Sequence, residues 1–430
     1  MKFRYNISKN SIDNLFKLKL QRFYLLNKRD IVVVCFYVSM MILYYGSLHP
    51  WFLWPLRELY PIPAAGILLL GYMISKSMEE PLFSRHDYLP QLSIYTLLSF
   101  YILFVGNQNV NAYITNVFTI FVFYCLFRSN KTLLINTVTV IAKSMALLLI
   151  PSMFFFMLYL LAFPLPSRNA VFGDNNYSFI NYYFFMIDDR FLLVLIPRFQ
   201  SVFLEPGHLG TATSLLLMTQ IGKWKRWWNV TLLIATIISF SLAAYAILIS
   251  LIFLGLWIQR KNIIGKLLGA ISLIAIVAVT ATFYNDGDNL VNNLILARLE
   301  VDDKTGEMVG NNRVDENFER EFDKFMESSD VLFGRDMSRI PKGSGNSGYR
   351  VFIYSNGLIG LILVVLLYAF SFRAYEDKRY LVTVIFISLL IFWIRGYPLW
   401  YSNFIPILAT VYKVYTSSKT KRKIIAVDEP

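Results

Sequence analysis

The stretch Trp228–Ile258 reads WNVTLLIATIISFSLAAYAILISLIFLGLWI, and no charged residue interrupts it. As a single helix it would be about 45 Å long, against about 30 Å for the hydrocarbon core of a bilayer. Its flanks are KWKR, Lys223–Arg226, and QRK, Gln259–Lys261. Basic loops stay on the cytoplasmic side, so one helix would put these two runs on opposite faces. Two helices joined by a tight turn near Ser241 return both runs to the same face. The stretch is therefore read as a hairpin, and the rest of the chain follows from that count.

Outward from the hairpin, charge-poor runs recur at Ile31–Tyr45, Ile62–Ser75, Gln91–Val105, Asn111–Phe127, Ser144–Phe163 and Leu204–Ile221. After the two arms, Trp228–Phe240 and Ala243–Ile258, come Leu267–Phe283, Val351–Phe372, Leu381–Trp393 and Asn403–Tyr415. The expectation is an all-α polytopic membrane bundle of about twelve transmembrane helices, with Pro151 kinking the fifth. Every second connection is basic: KSMEEPLFSRHD, RSNKTLLINTVTVIAK, GKWKRWW, QRKNIIGK, RAYEDKRY and the tail SSKTKRK. This pattern predicts that both termini are cytoplasmic.

Composition agrees with that class. Of 430 residues, 56% are hydrophobic and 16% charged, too little charge for a soluble protein of this size. The formal net charge of +13 lies in short loops and in residues 1–30, so nucleic acid is not needed to explain it. Residues 1–30 form a basic cytoplasmic segment without a signal-peptide pattern, expected to remain attached. Residues 31–284 hold nine spans, 285–350 a large outer loop, 351–415 three spans and 416–430 a cytoplasmic tail. Cys35 and Cys125 fall within spans and suggest neither disulfide nor metal.

The loop Asp286–Arg350 has fourteen acidic and nine basic residues and lies opposite the basic faces. Within it, DENFEREFDKFMESS spaces Phe318, Phe322 and Phe325 by three and four residues, as in an amphipathic helix lying over the bundle. A second outer segment, Pro164–Phe199, ends in Arg190 and Arg198. Together with Arg298, Arg313, Arg320, Arg335, Arg339, Arg350 and Arg395, these make an excess of outer arginines where the inside-positive bias should deplete them. A guanidinium fork suits bidentate binding of phosphate oxygens, which points to an anionic, lipid-linked partner. Arg320 lies among glutamates and is set aside.

The sequence RFQSVFLEPGHLGT, Arg198–Thr211, adds Glu205 and His208 at the mouth of a span. If EPGHLGT opens a helix, their spacing of three puts both on one face, and either could serve as a general base. Metal chemistry has little support: Asp286 and Asp288 form only a short D-x-D, and His49, His86 and His208 lie far apart in sequence. No phosphate-binding GxxxxGK[ST] and no GxSxG elbow occurs. Chemistry here would need an energised substrate, with no cofactor.

Four stretches resemble the superfamily of O-antigen polymerases and ligases. GNSGYRVFIYSNGLIGLILVV, Gly345–Val365, is similar to the polar pair and aromatic residue that precede a helix opening GliGl. RFQSVFLEPG, NNR at Arg313 and LFGRD, Leu332–Asp336, resemble the family's other motifs in the same order. Asn346 stands where the family often has a loop histidine, which argues against a ligase, and Ser241–Ala243 reads SLA in place of SRG. The resemblance implies a bacterial inner-membrane polymerase of the Wzy type. It would move a growing O-antigen or capsular glycan from a polyprenyl diphosphate carrier onto a lipid-linked repeat unit at the outer face. With that activity, the residues read above are expected to act as follows: Arg198 and Arg313 hold the donor diphosphate, with Arg190 and Arg350 as lesser candidates, and Glu205, then His208, is the choice for the base. Asn346 and Tyr349 would touch glycan, and a chain-length regulator would be a partner. Ligase-type transfer and lipid-linked oligosaccharide flipping are the alternatives.

Overall fold

A computed structural model describes residues 27–106, 110–173, 177–189, 197–259, 263–289, 291–300, 316–336, 348–373, 377–395 and 397–412. The fold is predominantly helical. Before the outer segment come α1 (Lys28–Gly46), a 3-10 segment Trp51–Leu59, α2 (Pro61–Lys76), α3 (Leu89–Val105), α4 (Val110–Arg128) and α5 (Lys131–Leu160). After it come α6 (Pro206–Thr219), α7 (Trp227–Ile238), α8 (Leu242–Gln259) and α9 (Ile263–Phe283). The segment expected as an outer loop contributes α10 (Glu316–Met326), and α11 (Gly348–Phe372), α12 (Lys378–Arg395) and α13 (Tyr401–Val411) follow.

Each of the twelve apolar runs contains a helix, but their lengths differ widely. Among the described residues, five helices, essentially α1, α4, α5, α9 and α11, are long and apolar enough to cross a membrane. A sixth arises if the 3-10 segment and α2, bent by 77°, count as one span. The runs expected at Leu204–Ile221 and Asn403–Tyr415 appear as α6 and α13, of 14 and 11 residues. At about 1.5 Å per residue these reach roughly 21 and 16 Å, well short of the hydrocarbon thickness. Both are buried along essentially their whole length and lie against each other, walled by α1, α5, α7, α8, α11 and α12. A short helix is stable at that depth because protein, not lipid, surrounds its ends.

The turn near Ser241 is present: α7 ends at Ile238, α8 starts at Leu242, and Phe240 between them has φ 45°. The two arms do not close on each other as a simple hairpin would. Each packs on α6, which runs between them. The contact is close because Gly210 of α6 lacks a side chain: a Cβ there would come within 2.5 Å of the Ala244 Cβ and 3.0 Å of the Ser239 Oγ. Gly210→Ala is expected to cost about 1–3 kcal/mol through overpacking. Thermal unfolding of the purified protein should show this loss, and Ala244→Gly in the same chain should restore most of it.

Two expectations are corrected. The connection RSNKTLLINTVTVIAK is not a loop: Asn130 caps Thr132 N–H at 2.9 Å, and α5 then runs for 30 residues, so helix occupies most of that basic stretch. Pro151 lies within α5, in its second half. The fold is also not purely α, since β1 (Arg168–Phe172), β2 (Tyr177–Asn181) and β3 (Met186–Asp188) form an antiparallel sheet in that order. The sheet buries Phe179 and Met186 with Leu204, against Trp51, Trp54 and Phe172, and so covers the start of α6.

The amphipathic helix of the outer loop is present as α10. Phe318 and Phe325 are buried against Tyr354 of α11, with Phe322 packed beside them. The charges of α10 bind its surroundings, Glu321 meeting Arg335 at 3.0 Å and Glu319 meeting Arg350 at 2.9 Å.

Candidate functional site

Glu205 is the residue before α6 and has an extended backbone, φ −141° and ψ 146°. Pro206 follows at the first helical position, where its missing N–H leaves no hydrogen bond unmade. The helix therefore begins at Glu205, and the spacing of three brings His208 back over it. Glu205 Oε2 lies 3.7 Å from His208 Nε2, with the histidine side chain 8% exposed and the glutamate 32%. That is charge-pair distance, longer than a hydrogen bond.

A second histidine joins them. His49 stands between α1 and the 3-10 segment with φ 52°, its carbonyl accepting from Trp54 Nε1 at 2.8 Å. Its ring centroid is 6.4 Å from that of His208, and both imidazoles meet Trp400, at 5.6 Å and 5.0 Å. Phe172 of β1 closes the other side of His49 at 5.6 Å. Burial lowers the His49 pKa below its usual value of 6.5, and the nearby Glu205 charge offsets part of that shift.

Such a histidine is neutral in the folded protein. As pH falls from about 6.5 towards the lower folded value, the unfolded chain takes up the proton first, so stability is lost over that window. His49→Gln should remove this contribution. Its melting temperature in detergent should fall less between about pH 7 and pH 5 than that of the unsubstituted protein. Equal falls would rule out His49 as a contributor.

Beside these rings lies a narrow opening with room for about one water molecule, bounded by Leu48, His208, Thr211, Tyr397, Trp400, Ser402 and Asn403. Its walls come from α6 and from the start of α13, so both short helices begin at the cleft. Tyr397 stacks on Trp400 at 4.4 Å, and Asn403 Nδ2 donates to the Tyr397 carbonyl at 3.0 Å, which fixes the loop before α13. The Ser402 amide is held by Ser47 Oγ at 3.0 Å.

Arg198 lies seven residues before Glu205, half-buried, where its charge is felt at the Tyr245 hydroxyl of α8. The adjoining Phe199 amide donates to the Ile238 carbonyl at 3.3 Å, tying this segment to the turn between α7 and α8. Arg350 is elsewhere, at the α10–α11 contact, where Glu319 meets its charge, Tyr349 Oη accepts from it at 3.3 Å and Phe322 lies under it. Tyr349 itself stacks on Trp393 at 4.5 Å. Arg335 is taken up by Asp330 at 2.7 Å and by Glu321. Two arginines of the outer excess thus have carboxylate partners within the chain. Arg190, Arg313 and Asn346 lie outside the described residues.

Among the described residues, no three or more His, Cys, Asp or Glu side chains are grouped to hold a metal ion. A carboxylate, two imidazoles and a hydroxyl-lined cleft can orient a substrate hydroxyl and take its proton. The sequence contained His49 and Trp400 but no signal joining them to His208, because each belongs to a different connection between helices. No protein-family model, no curated protein and no solved structure matches the chain.

Proposed function

We propose that this protein is a twelve-span polymerase of the bacterial inner membrane, with both termini cytoplasmic and its site facing outward. It would transfer a growing O-antigen or capsular glycan from a polyprenyl diphosphate carrier to a lipid-linked repeat unit, without a metal. The observation that carries the reading is the Glu205–His208 pair at 3.7 Å, set beside a cleft at the N-terminal ends of two buried short helices, which this reading takes to face outward. The basic runs after α6 and after α13 support that orientation.

In the reaction, the acceptor hydroxyl oxygen bonds to the donor's anomeric carbon while that carbon's bond to the diphosphate oxygen breaks. The electron pair leaves with the polyprenyl diphosphate, and the hydroxyl proton passes to Glu205 or His208. Arg198 stabilises the departing charge, assisted in this reading by Arg313 and Arg190. Arg350 and Tyr349, engaged at the α10–α11 contact, serve better to position the loop than to grip the carrier. A chain-length regulator is the expected protein partner.

The test is the size distribution of surface glycan on a gel, from cells with the gene deleted and then restored. A single repeat unit on its usual acceptor after deletion, with the ladder back on restoration, is the expected result. Long chains stranded on the lipid carrier would identify a ligase. An unchanged ladder would remove both readings.

A further inference from the structure

The cleft beside Glu205 and His208 contains hydroxyl groups that the fold does not use. Thr211 and Ser402 are 4% and 1% exposed, and neither side-chain oxygen has a hydrogen-bond partner among the described residues. A buried hydroxyl left unsatisfied is costly, and one that lines an opening is suited to a ligand atom. Both line the same opening, from two different helices. Thr211 is three residues after His208 and shares its face of α6, while Ser402 lies in the first turn of α13 with its backbone already anchored to Ser47.

The chemistry of this opening favours a neutral polyol over an anion. Helix starts attract negative charge, but Glu205, the residue before α6, already brings a carboxylate to this end of the helix, 3.7 Å from His208. Hydroxyls both donate and accept, which suits a sugar hydroxyl that must do the same. The space is narrow, with room for about one water-sized group, so it admits a hydroxyl and not a ring. The ring has a place outside: Tyr397, backed on one face by Trp400, is 42% exposed. Aromatic faces bind the apolar faces of sugars through the same contacts that stack rings.

We infer that this cleft is a sugar subsite, in which a pyranose lies against Tyr397 and lowers one hydroxyl between Thr211 and Ser402, within reach of His208. Assigning that sugar to the acceptor rests on the polymerase reading. The subsite itself does not.

The experiment is saturation-transfer NMR on the full chain in lipid nanodiscs, with a panel of methyl glycosides at millimolar concentration. The protein should saturate at least one glycoside. Thr211→Val with Ser402→Ala, which keep shape and remove the two hydroxyls, should weaken that binding by about fivefold or more. Tyr397→Ala, at an exposed ring, should weaken it comparably and serves if the double variant fails to fold. Binding that survives both the double variant and Tyr397→Ala overturns the inference, as does the absence of saturation for every glycoside. Displacement of the glycoside by pyrophosphate in the Arg198→Gln protein would make the cleft an anion site and also overturn it. Glycoside binding lost as expected, in a protein whose gene can be deleted with no change in surface polymer, would keep the subsite and remove the polymerase reading.

Discussion

On the polymerase reading, Glu205→Gln should leave the protein in the membrane at its usual amount and lower polymer formation by at least about a hundredfold, the scale of a lost general base. Glutamine keeps the length of the side chain and the extended backbone that opens α6, and removes the charge beside His208. Arg198→Gln should produce a similar loss for a different reason, since it strips stabilisation from the departing diphosphate. The two effects separate with a donor whose leaving group is a better one: the Arg198 variant recovers in part and the Glu205 variant does not. Retained activity in Glu205→Gln together with loss in His208→Gln would make the histidine the base and the glutamate its positioning group. Normal ladders from all three variants, read on the same gels as the protein's amount in membranes, would dismiss the site.

Gly357→Ala should be nearly as damaging, though it lies outside the acid–base pair. The backbone of α11 breaks at Gly357, with φ 61° and ψ −173°, and the freed turn receives the end of the outer loop. Arg335 N–H donates to the Tyr354 carbonyl at 2.6 Å, and the Tyr101 hydroxyl is 2.9 Å from the carbonyls of both Phe333 and Asn356. A Cβ on Gly357 would stand 2.4 Å from the Leu332 carbonyl oxygen, and one on Gly334 2.5 Å from that of Ser355. Left-handed backbone strain and this backbone clash together should cost about 2–4 kcal/mol. The melting temperature of Gly357→Ala in detergent should drop accordingly, and a cross-link between cysteines placed at Tyr101 and Phe333 should be lost. An unshifted melt with the cross-link intact would show that the loop seats without the glycine.

Both glycines belong to stretches that stood out in the sequence, NGLIG and LFGRD, and the structure gives them a shared physical role: two backbones that touch. The helices were legible because apolar length and the sidedness of basic loops are local properties. The helix at Phe318, Phe322 and Phe325 was legible from its spacing for the same reason. The sheet was not, since Arg168–Asp188 mixes Asn, Asp and Tyr with apolar residues and its short strands are held by Trp51 and Trp54 from a distant part of the chain. Nor was the company of Glu205 and His208. Their spacing gave the pair, but His49 and Trp400 reach it only through the packing of α13 against α1 and α6. The Glu319 that meets Arg350 was not legible either, because sequence shows a positive charge and not its partner.

The position of α6 between its two successors has a consequence for how the chain is made. If the chain enters a membrane as it is made, α6 brings His208, Thr211, Thr213 and Ser214, a polar load that lipid receives poorly. Its later neighbours settle that load: Thr213 meets Thr236 at 2.7 Å, and Ser214 Oγ reaches the Ala244 carbonyl at 3.4 Å. Until α7 and α8 have been synthesised, only earlier helices can shelter it, as Tyr44 does by donating to the Ala212 carbonyl at 3.2 Å. Folding therefore passes through a stage in which α6 is guarded on one side alone.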